Sequence, residues 1–564
     1  MRSRSHSLAA WLPSLGDLAF LMPAVFLFVK LDGARFLLGD GDTGWHIRTG
    51  EWILAHGRVP DRDLFSFTKA GETWYAWEWL WDVIFGWLHL HWGMAAVVWA
   101  SLLVLCICGW LLYRMTRERA GDSLIAIAVT FLALAASSIH WLARPHLFTL
   151  LFVLVFYAVL QRVAEGRTRL LAWLPPLTIL WTNLHGGFFV GILLIGTYAA
   201  GELLARLLRP EGAERHVHAR EFRLYAATAV ACGLASLVNP YGWRLHAHIV
   251  RYLAESYHRE NIIEFLSISF HHPAAIYFEI LLAAGAVAAL LALLRGRYAE
   301  ALLVLGWAHL ALLAARNIPI YAFLSAPVIA AAAKEALDGL RKADVAGWLR
   351  RAASGFAGFA SEITAMDRAA RAPWLSVLGL GVVGALMASP AAQGKLRAEY
   401  DPKRYPAAAV DALGEEFFTG KVFSDDEWGD YLIYRLFPKT RVYIDGRSDF
   451  YGAELGKEYW ALAQVRWDWQ STLERRAPDL IVLRAETPLA SLLKGSGRWQ
   501  LVYDDGIAIV FRRAGAEARQ VQVASREAAG VIVRSRNHNP AARGARQEAQ
   551  RGLAPPLAAL HGSP

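Results

Sequence analysis

Cysteine and charged side chains are both scarce in this sequence of 564 residues. The three cysteines, Cys106, Cys108 and Cys232, all lie inside apolar runs, so neither a disulfide framework nor a zinc site follows from them. Only 19% of the residues are charged, which is too few for an ordinary soluble protein of this length. The sequence also lacks a GxSxG motif, a P-loop and a dinucleotide-binding fingerprint, so an activated donor would have to arrive another way, for example in the membrane.

Apolar and aromatic residues are abundant instead. Hydrophobic residues make up 55% of the chain, and tryptophan, of which there are 23, collects at lipid–water interfaces. The net charge of +9 would suit nucleic acid, but the arginines stand in short loops between apolar runs, where they orient a protein in a membrane. We therefore expect contact with membrane lipid and no nucleic-acid partner. No cleavable signal is evident, and we expect the first apolar run to remain as an anchor.

The apolar runs predict a polytopic α-helical membrane protein of about eleven spans, since a span needs roughly 20 apolar residues. The predicted spans cover about 12–29, 93–112, 123–138, 146–160, 170–182, 188–208, 224–238, 274–294, 298–315, 320–333 and 373–389. The N-terminus and the loops after every second span hold most of the Arg and Lys, which places them in the cytoplasm.

The alternate loops are then extracytoplasmic, and they contain the unusual polar residues. Polar groups at membrane depth are costly and usually functional, so their collection at one end predicts a shared cavity there. These residues are Asp42, His46, His140, Arg144, His146, Asn183, His185, Asn239, Tyr241, Arg316 and Asn317.

The hydropathy pattern divides the chain into four parts. Residues 1–11 form a cytoplasmic N-terminus, and residues 12–390 form the transmembrane module, whose first extracytoplasmic loop spans 39–92. Residues 391–513 are predicted to be a small extracytoplasmic α/β domain, because KVFSD, RVYID and DLIVLR read as buried strands, and WQLVYDD and IAIVFRR as a hairpin. Residues 514–564 lack periodicity and are predicted to be a disordered basic tail.

The first extracytoplasmic loop begins with the acids Asp40 and Asp42. A carboxylate at Asp42 could take a proton from an attacking hydroxyl, with partial burial tuning its pKa. The pair could instead hold a divalent metal ion bound to phosphate, or form a solvated turn. His46, four residues on, would share a helix face with Asp42 and orient or contact the substrate, or it could be a surface histidine.

Two further segments of this loop carry acids. Asp61 and Asp63 follow Pro60 and are typical of a turn. The segment WYAWEWLW, residues 74–81, is predicted to be an interfacial helix lying along the membrane, with Glu78 either supporting the site or pointing into water.

Arg144 and Arg316 are the candidate cations for a phosphate, which a guanidinium binds bidentately, although arginines at span ends also snorkel. His140, His146 and His185 could contact substrate or lie in packed turns, and their spacing does not match a zinc helix motif. Asn183 and Asn239 could cap helices. In the segment YIDGRSDFYG, Asp445, Arg447 and Asp449 favour an ion-paired loop that docks the α/β domain over an acceptor-binding role.

The segments DTGWHIRTGEWIL, ARPH, NLHGG, NPYG and RNIP, together with the topology, resemble the GT-C superfamily of membrane glycosyltransferases over roughly residues 10–335. The chain is also similar to bacterial multi-span membrane proteins that share these segments and a VYIDGRSDFYG motif. The resemblance implies a GT-C-like fold, a polyprenyl-phosphate-linked sugar donor, Asp42 as the catalytic acid and Arg316 as a phosphate contact. The sequence shows no clear second acidic pair in a later outer loop, which leaves a divalent metal as an open possibility.

The resulting hypothesis is an inverting glycosyltransferase of the bacterial inner membrane. It would transfer a sugar from a polyprenyl-phosphate carrier to a glycan, lipid or protein acceptor on the extracytoplasmic face. Asp42 would be the base, with substrate contacts from Asp40, His46, Glu78, Arg144, His146, His185, Arg316 and Asn317. The alternative is a non-enzymatic membrane scaffold or a component of polysaccharide export. A transporter is disfavoured because the polar residues gather at one end rather than at the bilayer midplane.

Overall fold

The computed structural model describes residues 12–208, 213–370 and 373–514. The predicted cytoplasmic N-terminus and, apart from its first residue, the predicted basic tail lie outside the described residues. The described helices up to residue 388 are Leu15–Val29, Ala34–Leu37, Thr43–His56, Trp79–Ala120, Ser123–Ser137, His146–Ala164, Leu174–Leu184, Phe189–Leu208, Ala213–Ala235, Trp243–Ala254, Ser256–Asn261, Ala275–Leu294, Tyr298–Leu313, Ile318–Lys342, Gly347–Ala369 and Trp374–Ala388.

Short 3₁₀ helices adjoin several of these helices and lie at Ser138–His140, Thr168–Trp173, Gly186–Phe188, Ile263–Phe265, Ala315–Asn317, Gly394–Leu396 and Glu415–Phe418. The helices after residue 400 are Ala407–Leu413, Asp426–Leu436, Ser448–Ala463, Trp469–Arg476 and Pro488–Lys494. The strands are β1 (Gly420–Phe423), β2 (Thr440–Val442), β3 (Leu480–Arg484), β4 (Trp499–Asp504) and β5 (Ala508–Arg513).

Six helices of the described chain are long and apolar enough to cross a membrane, or seven if Gly347–Ala369 and Trp374–Ala388 together form one span. Leu15–Val29 and Tyr298–Leu313 are shorter apolar helices. The structure therefore supports a multi-pass membrane protein but does not confirm the predicted count of eleven spans. The predicted spans at 170–182 and 224–238 fall on an 11-residue helix and on Ala213–Ala235, which are not among the six. The six are Trp79–Ala120, Ser123–His140, His146–Ala164, Gly186–Leu208, Ala275–Leu294 and Ala315–Lys342.

Local sequence signals explain where the first helices begin and end. Ser14 and Asp17 form a capping box at the start of Leu15–Val29, which satisfies backbone donors that the first turn leaves free. Asp122 caps the start of Ser123–Ser137 by accepting from two backbone amides. Gly93, with φ of 69°, breaks the Trp79–Ala120 helix at the point where the second span was predicted to begin.

The predicted interfacial helix at 74–81 is wrong in its first half. Trp74 donates its backbone N–H to the Asp61 carbonyl, and Arg62 and Thr73 form an antiparallel bridge, so this stretch is held as part of a hairpin. Backbone pairing with residues 61–63 thus overrides the aromatic pattern, and the helix begins only at Trp79.

The C-terminal sheet has the strand order β2-β1-β3-β5-β4. Strands β2, β1 and β3 are parallel to one another, whereas β5 is antiparallel to both β3 and β4. The pairing of β4 with β5 is the predicted closing hairpin. Together with the helices after residue 400, this sheet forms what we call the sheet region, residues 407–513. All five predicted strands are present, and the apolar runs of β1, β2, β3 and β5 are buried, whereas β4, at the edge, is only partly buried.

The first loop adds backbone to the edge of this sheet. Phe67 donates its N–H to the Val442 carbonyl, and Val442 donates to the Phe65 carbonyl, each at 3.0 Å. The two bonds cover the otherwise open edge of β2, so the sheet region is joined to the first loop through main-chain hydrogen bonds. This junction brings the sheet region over the acids of the loop.

Candidate functional site

The candidate site is built where the Thr43–His56 helix crosses the start of the Trp79–Ala120 helix. The crossing is close because Gly50 lies against the second helix: a Cβ on Gly50 would lie 1.8 Å from the Asp82 carbonyl oxygen. No residue larger than glycine fits at that point without moving a backbone. The crossing places His46 of one helix beside Glu78 and Asp82 of the other.

Asp42 lies immediately before the Thr43–His56 helix and is 7% exposed. Its carboxylate forms an ion pair with Arg144 and accepts from the Trp45 indole N–H at 3.3 Å. Arg144 also pairs with Asp40 at 2.9 Å, and Asp40 accepts the backbone N–H of Asp42 at 2.8 Å. One guanidinium therefore holds both acids that the sequence analysis singled out.

A third carboxylate, Asp430 of the Asp426–Leu436 helix, joins this pair. The carboxylate oxygens of Asp40, Asp42 and Asp430 lie within 4.8 Å of one another. Asp430 is 2% exposed, hydrogen-bonds with Asp42 and accepts the Gly446 backbone N–H at 2.8 Å. The acidic site is thus shared between the first loop and the sheet region.

Burial dominates the proton affinity of these acids. Burial raises the pKa of Asp42 to about 7, because the lowering effect of Arg144 does not compensate for desolvation and for the neighbouring Asp40. Burial, reinforced by Asp42 and Asp445, raises the pKa of Asp430 well above its ordinary value. Three acids against one guanidinium leave excess negative charge, which a proton or a cation would neutralise.

His46 and His185 flank Glu78 from opposite sides. The Nε2 atoms of the two rings lie 3.6 and 3.4 Å from the Glu78 carboxylate, and Nδ1 of His46 lies 2.6 Å from Asp82. Burial raises the pKa of Glu78 to about 8, although Arg144 partly offsets it. Burial holds the pKa values of both imidazoles well below their ordinary value, with a contribution from Arg144 at both rings and from Arg316 at His185. His46 therefore contacts Glu78 and Asp82, not the Asp42 side chain as its spacing suggested.

Hydrogen bonding fixes the tautomer of His185. Its Nδ1 accepts from the Gly187 backbone N–H at 3.0 Å, and it lies 2.7 Å from the Thr149 hydroxyl, which itself accepts from Trp181. Nδ1 is thus an acceptor, and the ring proton of the neutral imidazole sits on Nε2, facing Glu78.

Arg316 pairs with Glu264, an acid from the loop between the seventh and eighth predicted spans. The guanidinium lies 3.5 Å from Glu264 and over the Phe265 ring, and its side chain is 30% exposed. His140 lies 3.6 Å from the same carboxylate. Although burial acts in the opposite direction, Arg316 and Arg144 lower the pKa of Glu264 to about 2.

These clusters interact electrostatically through Arg144. The charge of Arg144 lowers the pKa values of Asp42, Glu78 and Glu264. Burial lowers the pKa of Arg144 itself, but these acids and Asp40 raise it well above its ordinary value. Asp42, Arg144 and Arg316 therefore belong to one connected group of charges rather than to separate points on a rim. The sequence analysis predicted more than this, a shared cavity between these residues, and that cavity stays a prediction.

Other predicted residues are used for structure. His146 donates from Nε2 to the His140 carbonyl at 2.9 Å, and Asn317 donates to the Leu310 carbonyl at 3.0 Å. Asn183 bonds the Trp79 indole and two carbonyls, and Asn239 forms a turn with Tyr241 and Gly242. These contacts order the loop ends around the charged group without adding charge to it.

The predicted docking loop, YIDGRSDFYG, forms ion pairs, as the favoured interpretation expected. Arg447 is buried and pairs with Asp445 at 2.7 Å and with Asp63 of the first loop at 2.8 Å. Asp449 instead pairs with His248 at 2.8 Å. Asp63, read from the sequence as a turn residue, also accepts the N–H of Phe65 and Ser66, so it shapes the turn and anchors the sheet region.

Sequence reasoning missed Asp82, Glu264 and Asp430. The sequence showed no clear second acidic pair in a later outer loop, and the later acids that reach the site, Glu264 and Asp430, come from two different segments. Neither belongs to an acidic pair, so the pattern sought did not detect them. The available signal was the neighbourhood of Glu264, a single acid at the centre of an apolar segment, IIEFL.

No protein-family model matches the sequence, and no curated protein matches it. Among solved structures, the chain is similar to the oligosaccharyltransferase of Archaeoglobus fulgidus in the apo form, with a TM-score of 0.50 and 12% identity over 91% of this chain and 75% of that one. It is likewise similar to the archaeal oligosaccharyltransferase AglB of A. fulgidus in complex with an inhibitory peptide and a dolichol-phosphate, with a TM-score of 0.50 and 13% identity over 89% and 74% of the two chains.

The chain has the GT-C fold. This confirms the fold that the resemblance implied. Within the GT-C fold of this chain, the acid expected to be catalytic lies in the loop after the first apolar helix, buried against Arg144.

Proposed function

We propose that this chain is a membrane glycosyltransferase that moves a sugar from a polyprenyl-phosphate carrier to an acceptor, with inversion, on the extracytoplasmic face of the bacterial inner membrane. The observation that carries the proposal is the environment of Asp42. A buried carboxyl with a pKa of about 7, paired with a guanidinium in the first loop of a GT-C fold, suits a general base. The acceptor is a glycan, a lipid or a protein.

The chemistry assigned to Asp42 is proton removal. Its carboxylate takes the proton of the acceptor hydroxyl or amide as the acceptor atom bonds to the anomeric carbon, and the bond from that carbon to the phosphate oxygen breaks. The phosphate of the carrier leaves with the bonding electrons. A base with a pKa near neutrality combines a substantial ionised fraction with adequate basicity.

The two arginines receive different roles. Arg144 is committed to Asp40 and Asp42, so it positions the base and lowers its proton affinity. Arg316 has a single, longer ion pair with Glu264 and is more exposed, which suits a guanidinium that contacts the phosphate of the carrier. Glu78, held by His46 and His185, is assigned to substrate contact beside the base.

A divalent cation is compatible with the acidic cluster. Asp40, Asp42 and Asp430 supply three carboxylates, the oxygen ligands that hard cations prefer, and their excess negative charge fits such an ion. A bound cation supplies neutralisation of phosphate charge there.

The proposal is tested by Asp42→Asn, with Asp61→Asn as a matched control. Asp61 is an exposed acid of the same loop. Its main-chain carbonyl accepts the Trp74 N–H, and this hydrogen bond does not depend on the Asp61 side chain. Cells lacking the chromosomal gene would carry wild type or either variant, and mass spectrometry would compare lipid-linked sugars and envelope glycans. We expect Asp42→Asn to behave like the deletion, with the donor accumulating and a glycan missing, and Asp61→Asn to behave like wild type.

If wild type, Asp42→Asn and Asp61→Asn are equally abundant in the membrane, a loss of glycan in Asp42→Asn reflects a loss of activity and not of folding or insertion. Full glycan production by Asp42→Asn would exclude Asp42 as the base. Two observations together would instead support the scaffold function. The protein would copurify stoichiometrically with a partner and never with polyprenyl phosphate, and its deletion would change no glycan.

A further inference from the structure

A cleft lies between the first loop, the Trp243–Ala254 helix and the start of the Ser448–Ala463 helix, and none of the residues assigned above to proton transfer or phosphate contact lines it. Its volume is about 320 Å³, and its walls include Trp74, Tyr75, Tyr252 and Asp449. This volume is at the lower end of the roughly 300–1,000 Å³ that small-ligand sites occupy. The cleft is therefore large enough for a small cyclic ligand.

The cleft walls combine aromatic rings with hydrogen-bonding groups. Tyr75 and Trp77 both pack against the His248 imidazole, with ring centroids 4.8 and 5.2 Å apart. Tyr252 is partly exposed and lies on the opposite helix. Aromatic rings can pack against the C–H face of a pyranose. Asp449 and His248 pair with each other at 2.8 Å, and the second carboxylate oxygen and the second ring nitrogen can hydrogen-bond to the hydroxyls of the sugar.

The charges on the rim disfavour an anionic ligand. Two carboxylates, Asp449 and Glu255, line the cleft together with a single guanidinium, Arg251, and the imidazole of His248. A phosphate or carboxylate entering here would meet both acids, whereas a neutral polyol gains their hydrogen bonds at no Coulombic cost. The composition of the rim thus selects an uncharged sugar over the phosphate of a carrier.

The cleft also adjoins the proposed catalytic group. Besides burial, the charge of Asp449 raises the pKa of Glu78. The pKa of Tyr252, raised mainly by burial, is also affected by the charges of Arg316 and Glu264. Trp77, next to Glu78 in sequence, packs edge-on against Tyr252 at 6.3 Å. A ligand in the cleft would therefore extend toward the groups assigned to the donor phosphate.

We propose that this cleft is a sugar-binding subsite that holds one neutral ring of a substrate against the side chains of Tyr75 and Tyr252 and through Asp449. The proposal rests on the proposed function, since it assigns part of the same substrate complex. The ring belongs either to the acceptor glycan or to the sugar on the carrier, and both present the same hydroxyl-rich surface.

The test is binding of the full chain in lipid nanodiscs to a printed array of neutral and acidic oligosaccharides. Asp42→Asn protein is used, so that no transfer occurs during the measurement. We expect binding to at least one neutral oligosaccharide, weakened by about tenfold or more in Tyr252→Ala, the loss of one good contact. Thr73→Trp, which fills the cleft mouth without removing a wall, should weaken it as much.

Tyr503→Ala is the matched control, because Tyr503 is a partly buried tyrosine of β4 away from the cleft, and it should bind like the parent. Absence of any neutral ligand, preference for acidic glycans, or equal binding by the cleft variants overturns the proposal. Polyprenyl phosphate added to the nanodiscs separates the two sources: competition indicates the sugar of the carrier, and simultaneous binding indicates the acceptor.

The outcome is separable from that of the catalytic proposal. Sugar binding that depends on Tyr252 stands even if Asp42→Asn proves active in cells. Conversely, dependence of glycan production on Asp42 stands even if the array shows no neutral ligand.

Discussion

Gly446 lies directly against Asp42, so close that a Cβ on Gly446 would lie 1.9 Å from the Asp42 carboxylate. The contact joins the sheet region to the first loop at the acid assigned to proton transfer. In this arrangement Asp42 is 7% exposed, and the backbone at Gly446 covers part of its carboxylate.

Gly446→Ala is expected to force this backbone off Asp42. The added methyl group overlaps both Asp42 and Asp430, and overpacking of this kind costs about 1–3 kcal/mol. Asp42 should become more exposed to solvent, so its pKa should fall toward the ordinary value. The increase of the transfer rate with pH, which follows the ionisation of Asp42, should then occur at lower pH. Gly497→Ala is the control, because a Cβ there meets nothing within 4 Å. An unchanged pH profile in Gly446→Ala would contradict the contact.

The pH dependence of transfer should report the raised pKa of Asp42. A base must be ionised, so the rate should rise as pH increases, reach half its maximum near pH 7, where the folded-state pKa lies, and level off above that pH. The measurement is the initial rate of transfer by protein in nanodiscs over a range of pH. A rise centred near the ordinary carboxyl pKa would show that Asp42 is solvated during turnover or is not the base.

Arg144→Gln should move that rise to higher pH. Arg144 lowers the pKa of Asp42 against the effects of burial and Asp40, so removal of the cation leaves the carboxyl harder to ionise. Arg144→Lys keeps the charge and loses the fork that reaches Asp40 and Asp42 together, so its shift should be smaller. A shift of equal size in both variants would show that geometry, and not charge, sets the proton affinity.

The sequence predicted much of this site because local signals carried the relevant information. Asp42, Arg144 and Arg316 each follow or precede an apolar run, so hydropathy and charge placed them at one end of the bundle. The strands β1 to β5 were likewise readable, because buried apolar runs flanked by polar residues have little alternative to a sheet.

What the sequence could not supply were contacts between distant segments. Asp430 joins Asp42 only because residues 65–67 pair with β2 and carry the sheet region over the first loop. Nothing in the local pattern of the Asp426–Leu436 helix specifies that pairing. The extended backbone at Trp74 was missed for the same reason, since its partner lies in the preceding turn.

Asp42 should reduce the stability of the folded protein at neutral and alkaline pH. Its folded pKa of about 7 lies above the unfolded value of 3.8, so the folded state binds more protons and stability falls as pH rises through this window. The loss is on the order of 4 kcal/mol once the window is passed. Asp42→Asn should therefore melt at a higher temperature than wild type at pH 8, with a smaller difference at pH 5. Asp61→Asn should match wild type at both, and a lower melting temperature for Asp42→Asn at pH 8 would contradict the sign.

Arg447→Ala should detach the sheet region from the first loop. The buried guanidinium bridges Asp63 and Asp445 and packs over Trp74 at 4.5 Å, so its removal leaves two buried acids without their cation. Loss of one partner from such a group costs about 3–5 kcal/mol, whereas an exposed pair contributes about 1 kcal/mol or less. Arg435→Ala, which removes a more exposed pair with Asp411, is therefore the control.

Melting temperature and limited proteolysis of the protein in detergent measure the effect of Arg447→Ala. We expect earlier unfolding and faster cleavage between the membrane helices and the sheet region than in Arg435→Ala. Detachment also exposes Asp42 to solvent, and the loss of burial outweighs the loss of the Asp430 hydrogen bond, which lowers the pKa of Asp42. The transfer rate of any remaining active protein should therefore rise at lower pH than in wild type. Because burial is the largest cause of the raised pKa of Asp42, and the sheet region contributes to that burial, a destabilised variant with an unshifted pH profile would show that the docking contact and the acidic cluster are independent.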